Sequence, residues 1–357
     1  MGREHRLLVL LVCLVLGGAL TAAVLGVSEG EGPHGAMAGA MPGAASGAGS
    51  SAGAGAGAGT GSGAGSGTPA PGDFVDIRDV APTREQAPSP GPDASTGSFA
   101  VDCGRNEEGH YNQDNLVISP GLRNGAHHTH AYVGNLSTDA FSTDESLAAA
   151  STTCRGGDRS TYYWPVLRRP DLPATRPYEK AAAHGNTGRI LTPADVRLTF
   201  HGNPAGQVVP MPRFLRAFTG DAVAFTARSD EGVKARWGCA SLPDRSTTRY
   251  PRCPAGDRLT RTLVFPSCWN GLDTANPERT HLLFPAANGV CPQDTFAVPE
   301  LRITLAYDAP PADAPIALDS FPEQRHSPKT DHAMFVNVMT DDRMAKLVTC
   351  VNTGRHC

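Results

Sequence analysis

The run LRITLAYD at residues 301–308 decides the fold. Leu301, Ile303, Leu305 and Tyr307 recur at every second position, which is the period of a strand with one buried face. LVFPSCW at 263–269, HLLFP at 281–285 and AMFVNVM at 333–339 are similar short apolar runs bounded by Pro, Gly or Asn. Helices are few in this reading and lie around 144–150, 212–218 and 340–351. Thr340, Asp341 and Asp342 open the last one as first-turn residues that cap free N–H groups and suit the helix dipole. With 40 Gly and 30 Pro in 357 residues, turns are frequent. The expected fold is mainly β, a β-rich α+β chain forming a single disulfide-stapled domain. Its core is sandwich-like, with long irregular loops and few short helices.

Outward from that core, the cysteines frame the domain. Eight of the nine lie at positions 103, 154, 239, 253, 268, 291, 350 and 357. An even number in an exported chain implies four disulfides. Eight cysteines allow 105 pairings, but Cys350 with Cys357 and Cys239 with Cys253 would close short local loops. No CxxC pair occurs, which argues against thiolate zinc sites and thioredoxin-like redox chemistry.

Residues 1–27 carry Arg3 and Arg6 ahead of an apolar run from Leu7, an export signal that is either cleaved or kept as a signal anchor. Residues 28–98 are rich in Gly, Ala, Ser and Pro, including SAGAGAGAGTGSGAGSG at 51–67, and read as a disordered linker. Within it Phe74, Val75 and Ile77 form a small apolar patch able to dock on the domain, which spans 99–357. The net charge of −4, with no Lys/Arg block, excludes a nucleic-acid partner. The expected protein is an extracellular or cell-surface monomer, touching a membrane only if the N-terminal segment is uncut.

The densest chemistry is SPGLRNGAHHTHAYVGNLS at 119–137. On a strand, His128 and His130 point the same way with Cα atoms roughly 6.5 Å apart, so they can share one metal ion or flank one substrate group. His127 faces the other way and reads as structural or solvated. Tyr162, Tyr163, Trp164 and Trp269 stand beside Pro and Gly, where exposed rings could stack on sugars or instead fill the core. Asn135 begins a glycosylation sequon, meaningful in a eukaryotic secretory route. GxSxG, GxGxxG and HExxH are missing.

SPGLRNGAHHTH, DRSTYYWPVL at 158–167, FPSCWNG at 265–271, THLLFP at 280–285 and GVCP at 289–292 together resemble, in order, the domain-of-unknown-function family DUF1996. The resemblance covers about 99–339. It implies a secreted or surface-tethered protein of the kind found in fungi and bacteria, in fungi sometimes joined to carbohydrate-binding modules, with no established activity. Residue by residue, the family's His-x-His falls on His128 and His130, and the Asp before its Pro-Gly turn on Asp114. Its Asp before Tyr-Trp falls on Asp158, and the His before an apolar-Pro pair on His281. A late His-x-Asp-Phe-x-Asn string meets His332, Phe335 and Asn337, with Met334 replacing the acid and Val338 and Met339 replacing the Gly-Trp that often follows.

His128, His130, His281 and His332 thus lie in separated polar contexts that disulfides could draw together. Three imidazoles, with His128, His130 and His281 as the expected set, can bind Zn(II) or Cu(II) and leave one position open. Asp114 or Asp158 would serve as base or orient an imidazole, giving a hydrolase site on cell-wall or other extracellular polysaccharide. Without metal, one His and one carboxylate would form an acid/base pair. The alternatives are a non-catalytic carbohydrate-binding module and an extracellular Cu/Zn-binding protein.

Overall fold

Glu300–Tyr307 is a strand whose Leu301, Ile303, Leu305 and Tyr307 are buried, as the alternation requires. In the computed structural model the described residues are 68–83, 88–180, 184–227, 229–311 and 313–357. The expected export signal at 1–27 and the run at 51–67 lie outside them.

Glu300–Tyr307 is an inner strand of a six-stranded antiparallel sheet. The order is Leu242–Thr247, Arg236–Cys239, Leu259–Val264, Glu300–Tyr307, Asp195–His201 and Ser98–Val101. A second antiparallel sheet runs Tyr111–Asn112, His130–Gly134, Thr161–Pro165, His332–Val336, Arg216–Gly220. Leu198, Phe200, Leu263 and Ile303 of the first sheet share one core with Val133, Tyr162, Trp164 and Phe335 of the second. Phe335 stacks on Tyr162 at 5.0 Å and meets the edge of Phe200 at 5.8 Å. Each such ring contributes about 1.5–3 kcal/mol by leaving water. The sandwich-like, mainly β expectation holds, with four disulfides, Cys103–Cys154, Cys239–Cys253, Cys268–Cys291 and Cys350–Cys357. Both local pairings expected from sequence are among them.

The second sheet is buried on both faces. Its three central strands have no exposed residue, so hydrophobic alternation disappears from them. On the face away from the sandwich core, Tyr132, Tyr163, Met334 and Phe218 lie in register as one row across four strands. Tyr162, Tyr163 and Trp164 are therefore core residues, at most 1 % exposed, which removes them as a sugar-stacking platform. Trp269 is half-buried and donates Nε1–H to the Asp273 carbonyl at 2.7 Å. Asn135 is also buried, its amide donating to the Leu147 and Arg159 carbonyls, so the folded sequon offers no acceptor for a glycan.

Two of the expected helices form. α1, Asp144–Ala149, is capped by Thr143. The stretch expected as a helix at 212–218 instead turns at Pro212, passes Phe214 in the left-handed region at φ 69, and enters the strand Arg216–Gly220. Its backbone groups pair with His332–Val336, a partner that local periodicity does not reveal. A four-residue α2, Pro177–Lys180, was not anticipated. α3, Asp341–Asn352, begins after the Thr340 cap and buries Met344, Leu347, Cys350 and Val351 along one stripe. Part of the segment read as linker is ordered: Phe74–Asp76 pairs in parallel with Tyr250–Arg252. No helix among the described residues is long and apolar enough to cross a membrane.

Candidate metal centre

The pleat places His130 and His332 on the far face of the second sheet, each two residues from the Tyr132/Met334 row. One strand separates them, so their Cα atoms stand about 9–10 Å apart, a gap that two imidazoles leaning inward can close. Pro165 pairs with His130 on that intervening strand. His128, just before the strand, completes the group. His127, immediately before it, has φ 56, a left-handed turn that carries the chain into the site.

The Nε2 atoms converge. His128 Nε2 is 3.1 Å from His130 Nε2 and 3.2 Å from His332 Nε2, and the last two are 3.5 Å apart. His130 Nδ1 lies 2.9 Å from the Asp114 carbonyl and His332 Nδ1 2.7 Å from the Thr330 carbonyl. A carbonyl oxygen only accepts, so the hydrogen-bond network assigns each neutral ring its proton on Nδ1 and a lone pair on Nε2. His128 Nδ1 has no hydrogen-bond partner. At most one proton, on His128, can then lie among three facing nitrogens.

All three rings are at most 2 % exposed. Burial pushes the pKa of each below the ordinary histidine value, and for His128 and His130 the neighbouring imidazoles push it further. Neutral imidazole is the form that ligates metal.

Two buried ion pairs brace the ligand-bearing backbone. Thr129, between His128 and His130, gives its N–H to the Asp319 carboxylate at 3.1 Å. Arg168 holds that carboxylate at 2.6 and 3.1 Å and also reaches the Thr129 hydroxyl at 3.2 Å. Asp331, next to His332, pairs with Arg261, whose guanidinium also donates to the Pro165 carbonyl at 3.1 Å. Arg261 comes from the first sheet, so both sheets fix the site. Gly220, paired with His332, has φ 89, and a Cβ there would meet the Asp331 carbonyl at 2.2 Å.

His128 and His332 line a cleft of about 530 Å³, within the range of small-molecule sites. Phe218, Phe321, Asp221 and Arg279 are among the other residues that line it.

The other expected site residues are placed differently. Among the described residues His281 belongs to no convergent group: its Nε2–H donates to the Arg216 carbonyl at 2.7 Å and ties a loop to the second sheet. The three histidines that converge closely enough to hold a metal are therefore His128, His130 and His332, without His281. Asp114 acts through its backbone carbonyl on His130, while its carboxylate accepts N–H groups of Asn124 and Ala140. Asp158 accepts from Ser160 N–H and Tyr162 Oη–H at 2.7 Å in the interior. It neighbours the Cys103–Cys154 bridge, whose sulfurs are bonded to each other. Sequence reading missed Asp221 and Arg279. Asp221 follows the strand Arg216–Gly220, and reading that strand as a helix hid the edge it marks.

Fold and site together define a class: a disulfide-braced β-sandwich with three buried, converging imidazoles, two of which line an open cleft. Residues 115–337 match the family described as Domain of unknown function (DUF1996), and the chain belongs to that family. No curated protein and no solved structure matches the chain.

Proposed function

We propose that His128, His130 and His332 hold one divalent transition metal, Zn(II) or Cu(II), with its remaining position open to the cleft, and that the protein is an extracellular metal-dependent hydrolase. One observation carries this reading: the 3.1, 3.2 and 3.5 Å triangle of Nε2 atoms, in which the His130 and His332 rings keep their protons on the far nitrogens. Three nitrogens bound at about 2.0–2.1 Å with tetrahedral angles stand about 3.3 Å apart. Lone pairs at this separation repel one another unless a cation or a shared proton lies between them.

A zinc ion so held supplies a Lewis acid and lowers the pKa of a coordinated water to about 7. The chain's own groups would do the rest. Asp221, which lines the cleft, would take or return a proton there, and Arg279 would neutralise negative charge on bound substrate. Phe218 and Phe321 offer flat apolar faces, and the substrate class we assign is a cell-wall or other extracellular polysaccharide. The four disulfides support an oxidising, extracellular setting. An accessible cleft at two of the three ligands favours chemistry over metal storage, and burial of Tyr162, Tyr163 and Trp164 weakens the binding-module alternative.

The test is elemental analysis of the purified protein after exposure to zinc or copper, followed by polysaccharide hydrolysis with and without chelator. We expect near-stoichiometric metal in wild type and in His281→Ala, and its loss in His128→Ala, His130→Ala and His332→Ala. Folded wild type without metal overturns the reading. A metal-loaded protein inert on wall polysaccharides overturns the substrate class.

A further inference from the structure

A second pair of imidazoles lies outside the buried centre. His127 Nδ1 is 3.2 Å from His184 Nε2, a separation like those among His128, His130 and His332. The rings are tilted by 54° with centroids 4.8 Å apart, so they meet nitrogen to nitrogen and not face to face. Both side chains are exposed. Each imidazole projects from a left-handed backbone position, φ 56 at His127 and φ 63 at His184, a conformation uncommon outside glycine. Such positions persist where the surroundings hold them.

Here the surroundings are visible. Buried Asn186, two residues after His184, accepts the Ser320 N–H at 2.9 Å and donates to the Ser320 carbonyl at 3.0 Å. Phe321 follows directly, with its ring 5.7 Å from His127 and 5.3 Å from His128. The turn bearing His184 is thereby tied to the segment that touches both histidine groups. A single phenyl ring links the surface pair to the buried three.

We propose that His127 and His184 form a second, solvent-facing site for a divalent transition metal, from which the ion passes to the buried centre. The passage rests on the metal reading of that centre, whereas the surface site stands by itself. Two imidazoles leave the remaining coordination positions to water, so this site binds more weakly and exchanges faster than three buried ligands. Neutral imidazole ranks copper(II) above zinc(II), which makes copper(II) the sharper probe.

The experiment titrates the full-length protein with copper(II), then with zinc(II), and follows stoichiometry and rate of uptake in wild type, His184→Gly and His130→Ala. Glycine suits φ 63, so His184→Gly removes the imidazole without steric strain in the backbone. We expect two equivalents in wild type and one in His184→Gly, with the remaining buried site filling at least fivefold more slowly. His130→Ala should keep the fast surface equivalent and lose the slow one. Unchanged stoichiometry and rate in His184→Gly overturns the proposal and leaves a simple N–H···N hydrogen bond between the rings. Copper lost in His184→Gly but unaffected by His130→Ala keeps the surface site and sinks the buried one, and the passage with it.

Discussion

His128, His130 and His332 remain neutral in the folded protein because burial opposes their charged forms. In the unfolded chain each takes up a proton as pH falls through about 6.5. The unfolded state then binds more protons than the native one, so stability falls with falling pH. For the metal-free protein the contribution of these groups is fully present above about 6.5 and is lost as pH drops from there toward the depressed native values. Against burial, the Thr330 carbonyl, Asp331 and Asp221 raise the His332 value while Arg261 lowers it further, so the comparison is with a variant at His130. We expect the urea midpoint of metal-free wild type to drop between pH 7 and pH 5 more steeply than that of His130→Gln, and equal slopes would refute this account. His128 and His130 were legible in the sequence because strand spacing alone aligns them. His332 is 204 residues from His128 and was legible only through the family resemblance. Asp221 and Arg279 carry no local pattern; the strand Arg216–Gly220 brings Asp221 to the cleft, and the loop that His281 ties to the Arg216 carbonyl brings Arg279.

At the scale of elements, the two buried arginine–carboxylate pairs link site and scaffold. Both Arg261 and Asp331 are fully buried, as are Arg168 and Asp319 to within 1 %. Removing one partner leaves an unpaired charge in the interior, a loss of about 3–5 kcal/mol. Arg261→Leu should therefore lower unfolding free energy by that amount and weaken metal retention, because Asp331 precedes His332. Arg261→Leu with Asp331→Leu should recover much of the stability, since an apolar pair of similar volume is often neutral. A double variant no more stable than the single one would refute this. Glu300–Tyr307, α1 and α3 were legible because alternation and capping residues are local signals. The strand Arg216–Gly220 was not, since its pairing partner lies more than a hundred residues away in sequence.

For the whole molecule, the disulfides close loops of very different size. Cys103 and Cys154 are separated by 51 residues and Cys350 and Cys357 by 7. If the bridges act mainly by restricting the unfolded chain, the longer loop is worth about 1.5–2 kcal/mol more. Urea unfolding of the Cys103→Ala, Cys154→Ala double variant should show the larger loss, against Cys350→Ala with Cys357→Ala. The reverse order would mean that packing around the bridge at the end of α3 dominates. The even cysteine count made four bridges legible, and loop length singled out two of them. The other two needed the three-dimensional fold.

The short parallel pairing of Phe74–Asp76 with Tyr250–Arg252 also has a mechanical side. Just beyond it, the Arg245 guanidinium grips the Arg78 and Val80 carbonyls, the latter at 2.7 Å. A pull transmitted through the N-terminal side of the domain would load this clasp first, at a sheet edge remote in topology from the histidine-bearing strands. The clasp would serve as a fuse, yielding at the sheet edge before the longer ladders of the sandwich do.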